Sequence, residues 1–308
     1  GTTSTIQGII PYADGVIVCA STNIYFSNDG VNWLQINRSS VSSSGDNHTA
    51  FTGRSLLTRT NQGQVQFALF EGPNYEHGQI VIADENNKPY SFRMEGSGAI
   101  ASRTFFSEEI TVSGTKGVQF ITHHDRHLIA AGVEDNLSTV YYSALLDPTD
   151  FSGTGSGAIT LTDQIVGVAS FRADLFAGTA RIGDVELGTV SKQIQPIITT
   201  LAQNINLYQI TSTVIREKSQ YRLFYTNLGA SENAQRGIIG TLRPKGFEWS
   251  ETKGLEVTAI GADFDATEVE RYYHGSKSGY IYLHDDGNNF DGGAIIARYK
   301  TPDYDYGD

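Results

Sequence analysis

The chain repeats itself. Short apolar strands open near Val16 ("VIVCA"), Val65 ("VQFALF"), His127 ("HLIAAG"), Ala173 ("ADLFAG"), Tyr221 ("YRLFYT") and Arg271 ("RYYHG"), at intervals of roughly 46 to 62 residues. Several of the six units continue alike: a polar turn, a second strand, a Gly/Asp/Pro turn, then a large aromatic. In the first unit these are Ser21-Thr22-Asn23, "IYFS", "NDG" and Trp33; in the third, "VEDN", "TVYYS", "LLDPTD" and Phe151. The fifth ends on "FEW", Phe247 to Trp249, and the sixth runs "GSKSG", "YIYLH", "DDGNN" to Phe290.

Alternating strands and turns at this spacing are antiparallel hairpins, and one such unit cannot bury both of its faces alone. Packed radially about an axis, every unit gains two neighbours and only short edges stay open. The expectation is therefore an all-β, β-propeller-like fold over residues 1–308, with about six blades of four strands or fewer. Trp33, Phe151, Trp249 and Phe290 are expected to wedge between adjacent sheets, where flat side chains bury much area at modest entropy cost. A two-domain sandwich with accidental repetition is the alternative architecture. Sixteen Tyr, fifteen Phe and 33 Gly supply strands and turns, while a single Met and few long apolar runs leave little for long helices. Only Ser191 to Ile210, "SKQIQPIITTLAQNINLYQI", fits a short helix as well as two strands. Strand is slightly preferred there.

The formal net charge of -12 is scattered along the chain and argues against grasping a phosphate backbone. It suits a conduit through which DNA slides without sticking, and equally an ordinary acidic protein. No apolar run approaches the roughly 18 residues of a membrane span, and no basic-then-apolar leader opens the chain. The single cysteine, Cys19, reads as a small buried hydrophobe, so disulfides within the chain are excluded. Residue 1 is Gly and the only Met is Met94, which points to a processed or partial chain.

Candidate chemistry is sparse. Ser27, Asp29, Gly30 and Trp33 resemble the Asp-box of sialidases and related propellers, although Gly follows Asp directly where that family usually has one residue between them. There the box is a structural turn, and here Asp29 is expected to accept nearby backbone amides while Gly30 takes positive φ. No spacing among the 34 acidic residues selects a catalytic pair. In "HHDRH", His123 and His127 on one strand would lie roughly 13 Å apart, too far to share an ion unless Asp125-Arg126 turns the chain. Asp285, Asp286, Asn288, Asn289 and Asp291 offer oxygens but no distal Glu, so a polar hairpin is preferred to a calcium loop. Phosphate-loop, zinc-spacing and nucleophile-elbow motifs do not occur. Catalytic residues, metal and cofactor are all expected to be none.

Three stretches together resemble the tail nozzle proteins of short-tailed bacteriophages, the tail tubular protein B type. They are "TVYYSALLDPTDFS" (Thr139 to Ser152), "REKSQYRLFYTN" (Arg216 to Asn227) and "SGYIYLHDDGNNFDGGAIIARYKTPDYDYGD" (Ser278 to Asp308). The family's Tyr-Ser pair with Asp-Pro-x-x-Phe is met by Tyr142-Ser143 and Asp147, Pro148 and Phe151; its Gln-Tyr-Arg strand by Gln220, Tyr221 and Arg222. Its closing pattern is met by Gly279 to Tyr282, Phe290 to Gly292 and Lys300-Thr301-Pro302, with Lys in place of Arg. The resemblance implies a non-enzymatic virion protein: a homo-hexameric ring below portal and adaptor that continues the DNA channel. It also implies partners among adaptor, tail fibre or tailspike and needle proteins, with double-stranded DNA passing through unread. The competing class is a propeller that binds or cleaves glycans.

Overall fold

The computed structural model describes residues 4–38, 45–60, 63–71, 75–114, 117–171, 174–179, 193–231, 234–244, 246–265, 267–287, 289–290 and 293–294. Among the described residues six antiparallel sheets, and a further short strand pair, follow one another along the chain. Sheet 1 is β1 (Ile6–Tyr12), β2 (Gly15–Ala20), β3 (Asn23–Ser27) and β4 (Leu34–Gln35), in that order. Sheet 2 holds β5 (Asp46–Asn47), β6 (Gln66–Phe70), β7 (Gln79–Ala83), β8 (Tyr90–Glu95) and β9 (Thr104–Glu109), with β5 added outside β9 and the helix α1 (His48–Thr52) behind it.

Sheet 3 is β10 (Val118–His124), β11 (His127–Val133), β12 (Asn136–Tyr142) and β13 (Gly157–Thr160); sheet 4 is the pair β14 (Ile165–Phe171) and β15 (Asp174–Thr179). After the helix α2 (Gln195–Gln203), sheet 5 runs β16 (Tyr208–Ile215), β17 (Gln220–Asn227), β18 (Arg236–Arg243) and β19 (Gly246–Lys253). Sheet 6 is β20 (Ala259–Phe264), β21 (Glu270–Gly275) and β22 (Ile281–Leu283), followed by the short pair β23 (Asn289–Phe290) and β24 (Gly293–Ala294).

Neighbouring sheets are held together by burying their faces on one another. Separate apolar cores lie between sheets 1 and 2, 2 and 3, 3 and 4, 5 and 6, and 6 and 1. The last is decisive, since it joins the first sheet to the last described one. There β1 lies against β20 and β21, and Ile6 N–H donates to the Ser276 carbonyl at 3.2 Å. Two glycines make that approach possible: a Cβ on Gly261 would lie 2.0 Å from the Ile9 carbonyl oxygen, and one on Gly275 2.3 Å from Ile6 Cβ. Any side chain at either position would push the closure apart. The expected all-β, propeller-like class is what the chain adopts, and the sandwich alternative is not.

Three expectations need correction. The strands taken as openings of the units are mostly second strands: Val16, His127, Tyr221 and Arg271 fall in β2, β11, β17 and β21, Val65 adjoins β6 at the edge of sheet 2, and Ala173 lies outside the described residues. The innermost strands carry mixed polar and apolar residues, as in "VQFITHH" of β10, so they stand out less. Between Ser191 and Ile210, residues 195–203 are helical rather than extended: Pro196 sits in the first turn and Ile194 and Leu201 are buried. Strand resumes at Tyr208.

The third correction concerns Trp33. It is 38% exposed, outside β4, and seals no junction. The residues just after it do that work, Leu34 and Ile36 being buried in the core between sheets 1 and 2 with Phe26, Phe51, Phe92 and Phe105. Cys19 lies in the same core, and burial pushes its thiol up to about 12.

Candidate functional site

The first motif forms a self-contained turn between β3 and β4. Asp29 Oδ1 accepts the backbone N–H of Val31 (2.8 Å) and Asn32 (2.7 Å), and Oδ2 accepts the Asn32 amide (2.7 Å). Ser27 Oγ donates to Asp29 and accepts Gly30 N–H at 3.0 Å, while Gly30 takes φ +71. The Asn32 backbone N–H, then its side-chain amide and Val31 N–H, hold the Asp29 carboxyl down to about 2. Both carboxylate oxygens are engaged within the turn. The turn is hairpin hardware.

The second motif is a similar knot between β12 and β13. Asp147 Oδ1 accepts both N–H and hydroxyl of Thr149, and Asp150 Oδ1 accepts the N–H groups of Ser152 and Gly153. Ser143, fully buried, accepts Leu128 N–H and donates to the Ala144 carbonyl. Pro148 is buried. This folding back delivers Phe151, half-buried, onto the core between sheets 2 and 3, where Val81, Ile110, Val118 and Leu128 lie.

Trp249 behaves differently. On β19 it stacks on Phe247 (ring centroids 5.6 Å apart, planes at 21°) and covers Gly240, so it packs on its own sheet. Phe290 has strand backbone in β23, and its side chain lies outside the described residues, as do Asn288 and residues 295–308 of the closing motif.

The third motif leads to the most concentrated group of polar side chains. Register on β17 turns Arg222 and Phe224 to one face, toward sheet 6, and Tyr221 to the other. Buried Arg222 donates to Gln220 Oε1 at 2.7 Å and to Asp285 Oδ2 at 2.5 Å; Lys218 Nζ reaches the same oxygen at 2.7 Å. Asp285 follows buried His284, whose Nδ1 lies 3.0 Å from His274 Nδ1, so one imidazole donates and the other accepts. Phe224 and Tyr272 meet the His284 ring edge-on, and Tyr282 stacks on His274. Glu270, also buried, caps the β16–β17 turn by accepting Arg216 N–H (3.0 Å) and Glu217 N–H (2.9 Å).

Burial dominates the acid–base behaviour here. It lowers His274 to about 3, reinforced by His284, and His284 to about 4, against the opposing Asp285 charge. Asp285 is held well below the usual carboxylate range by hydrogen bonds from Arg222 and Lys218, which overcome its partial burial. Two neutral imidazoles and a carboxylate claimed by two cations are spent on one another. Chemically the group locks sheet 5 to sheet 6.

The other polar clusters disperse. Asp125 and Arg126 take positive φ in a tight β10–β11 turn, and the three histidines around it part company. His123 lies against Phe70 (4.9 Å), His124 Nδ1 meets Ser170 Oγ (2.9 Å), and His127 Nδ1 meets the Ser143 carbonyl (2.6 Å). Among the described residues, no three His, Cys, Asp or Glu are placed to hold a metal, and no helix is long and apolar enough to cross a membrane. Sequence reasoning missed the histidine pair, Glu270 and the ion pair Arg59–Asp84 (2.8 Å). Their partners lie 10 to 54 positions away, and only the Lys218-x-x-x-Arg222 pair of cations hinted that an acid must meet them.

No family model and no curated protein matches the chain. Among solved structures, it is similar to one described as "Structural and functional probing of PorZ, an essential bacterial surface component of the type-IX secretion system of human oral-microbiomic Porphyromonas gingivalis". The identity is 12% and the TM-score 0.31, over 97% of this chain and 35% of that one, so the chain spans about a third of that protein's length.

Proposed function

We propose that this chain is a structural protein of a short-tailed bacteriophage tail, of the nozzle type, acting as a ring of six copies that extends the DNA channel. One observation carries the reading. Several residues that resemble the nozzle family knit sheets together: Asp147, Pro148 and Phe151 fold a turn onto the junction of sheets 2 and 3, and Arg222 crosses from sheet 5 to sheet 6. A family signature made of junction residues suits a part whose job is rigidity.

The channel in this reading runs between copies. Within one copy the Gln64 amide, just before β6 of sheet 2, donates to the Ile210 carbonyl on β16 of sheet 5. A bore that one side chain can span does not pass a duplex, so the lumen belongs to the assembly. Exposed apolar side chains supply surface for lateral contact: Val214 and Leu242 on sheet 5, and Phe264 and Val269 at the β20–β21 end of sheet 6. An acidic balance favours a wall from which DNA slides free, because each phosphate contact made must be broken during ejection.

Negative-stain electron microscopy of the purified protein, alone and with its adaptor, tests this reading. Sixfold rings with an open centre, lost in Phe264→Asp, are expected. Monodisperse monomers under both conditions would reject it and favour the glycan-binding class of propeller.

A further inference from the structure

Sheets 5 and 6 are each knit internally by backbone ladders, eight register pairs joining β16 to β17 and six joining β20 to β21. Such bonds do not respond to pH. Between the two sheets the buried apolar cluster is small, Phe224, Val257 and Ile260, and beside it lie His274 and His284, both buried, with their Nδ1 atoms 3.0 Å apart. One proton serves that contact. With Nε2 of His284 3.5 Å from Asp285 Oδ1, this ring carries its own proton at Nε2 and accepts at Nδ1, so His274 donates.

That geometry has no place for a further proton. Added to His284, it can enter only at Nδ1, which sets two N–H groups head to head across 3.0 Å and breaks the bond. Added to His274, it makes a buried imidazolium. The charged groups that face the pair are Arg222 of β17, Lys218 of the β16–β17 turn and Asp285, whose Oδ2 already holds both cations. The rings of Phe224, Tyr272 and Tyr282 complete the surroundings. Glu270, farther along β21, is engaged by the Arg216 and Glu217 N–H groups. Two cations against one carboxylate leave nothing to receive a third, and an uncompensated charge buried in the junction is costly. Burial accordingly holds both rings neutral well below the usual histidine range.

Separation of the two sheets relieves that cost, because solvated imidazoles take up protons near pH about 6.5. Sheet 6 keeps its hold on sheet 1, where the contacts are apolar side chains and the Ile6 N–H bond to Ser276, neither of which titrates. The core between sheets 1 and 2 is apolar likewise. We propose that the His274–His284 pair is a proton-operated latch: it holds sheet 5 to sheet 6 in neutral solution, and in acid sheet 5 swings off sheet 6 as an intact sheet while sheets 1 and 2 stay packed. This inference does not depend on the ring assembly proposed above.

Hydroxyl-radical footprinting of the whole chain between about pH 7.5 and 4, scored by mass spectrometry against an internal dose standard, reads the access of solvent to each junction. Phe224 and Tyr272, buried between sheets 5 and 6, are expected to be labelled about five-fold or more faster at the acid end. Phe92 and Phe105, buried between sheets 1 and 2, should keep their low rate. The double variant His274→Gln, His284→Gln carries no titrating ring there, and its acid-dependent rise should shrink to under about two-fold. If that variant fails to fold, the unaltered chain decides alone. An equal rise at Phe92 and Phe105 would mean general unfolding, and unchanged labelling of Phe224 and Tyr272 would mean that the junction accepts both protons; either overturns the inference. A rise of full size in a folded double variant overturns it too.

Discussion

The junction of sheets 1 and 2 and that of sheets 5 and 6 perform the same task with different chemistry. In the first, Phe92 touches the rings of Tyr12 (6.0 Å), Phe26, Phe51 and Phe105 (each 6.5 Å) in a core of fifteen buried residues. In the second, the buried apolar cluster is Phe224, Val257 and Ile260, and polar contacts add to it, among them Glu270 on the β16–β17 turn and the imidazole pair with its ion-paired carboxylate. Nondirectional burial tolerates approximate fit, while a polar lock holds only when every partner is in place. The two junctions should therefore respond to different insults.

The largest effect is expected at the apolar junction. Phe92 is wholly buried, so Phe92→Ala removes both transfer energy and packing and should cost about 3 to 5 kcal/mol. Urea denaturation monitored by tyrosine fluorescence measures it. A loss below about 1 kcal/mol would mean that sheets 1 and 2 are not sealed by this ring.

Acid should strike the other junction. In the folded chain His274 and His284 stay neutral down to about 3 and 4, whereas unfolded histidines take up protons near 6.5. Between those limits the unfolded chain holds more protons, so stability is intact above about pH 6.5 and drains as pH falls. Below the folded values the loss levels off. Each histidine contributes at most about 1.4 kcal/mol per pH unit, and less near its unfolded midpoint, so the pair should cost about 2 kcal/mol between pH 6.5 and 5.5. His123, also lowered by burial, adds with the same sign. Around the pair stand Arg222, Lys218, Asp285 and Tyr272, and the carboxylate is ionised throughout this window. Unfolding midpoints that stay level from pH 7.5 to 5.5 would show the imidazoles to be solvated.

The contrast also explains how much of the molecule was legible. Six units, hairpin turns and the all-β class follow from local spacing, because strand alternation and turn chemistry act within a few residues. The Asp29 and Asp147 turns were readable for the same reason, since their hydrogen bonds close within three positions. Ring closure was not, because Gly261 and Gly275 read as ordinary strand glycines until Ile6 and Ile9 are set against them. The polar lock was hidden likewise: Arg222 and Asp285 lie 63 positions apart, and "HDDGNN" reads more naturally as a turn. Helix α2 was half-legible, with Pro196 marking its start but apolar spacing that suits two strands equally.

The smallest effect separates an aromatic that caps a repeat from one that seals it. Trp33 and Phe151 occupy equivalent places after the second turn of their units, yet Trp33 is 38% exposed while Phe151 reaches the core between sheets 2 and 3. The difference lies in the turns. Asp29 completes its bonds within Val31 and Asn32 and releases the chain pointing outward, so the buried positions pass to Leu34 and Ile36. The Asp147–Gly153 turn instead folds back, with Ala144 N–H donating to the Asp150 carbonyl at 2.7 Å, and that bend carries Phe151 inward. Trp33→Ala should thus cost under about 1 kcal/mol, near the range of surface substitutions, and Phe151→Ala about 2 kcal/mol or more. Equal losses in urea denaturation would mean that position in the repeat, rather than the geometry of each turn, decides which aromatic closes a junction.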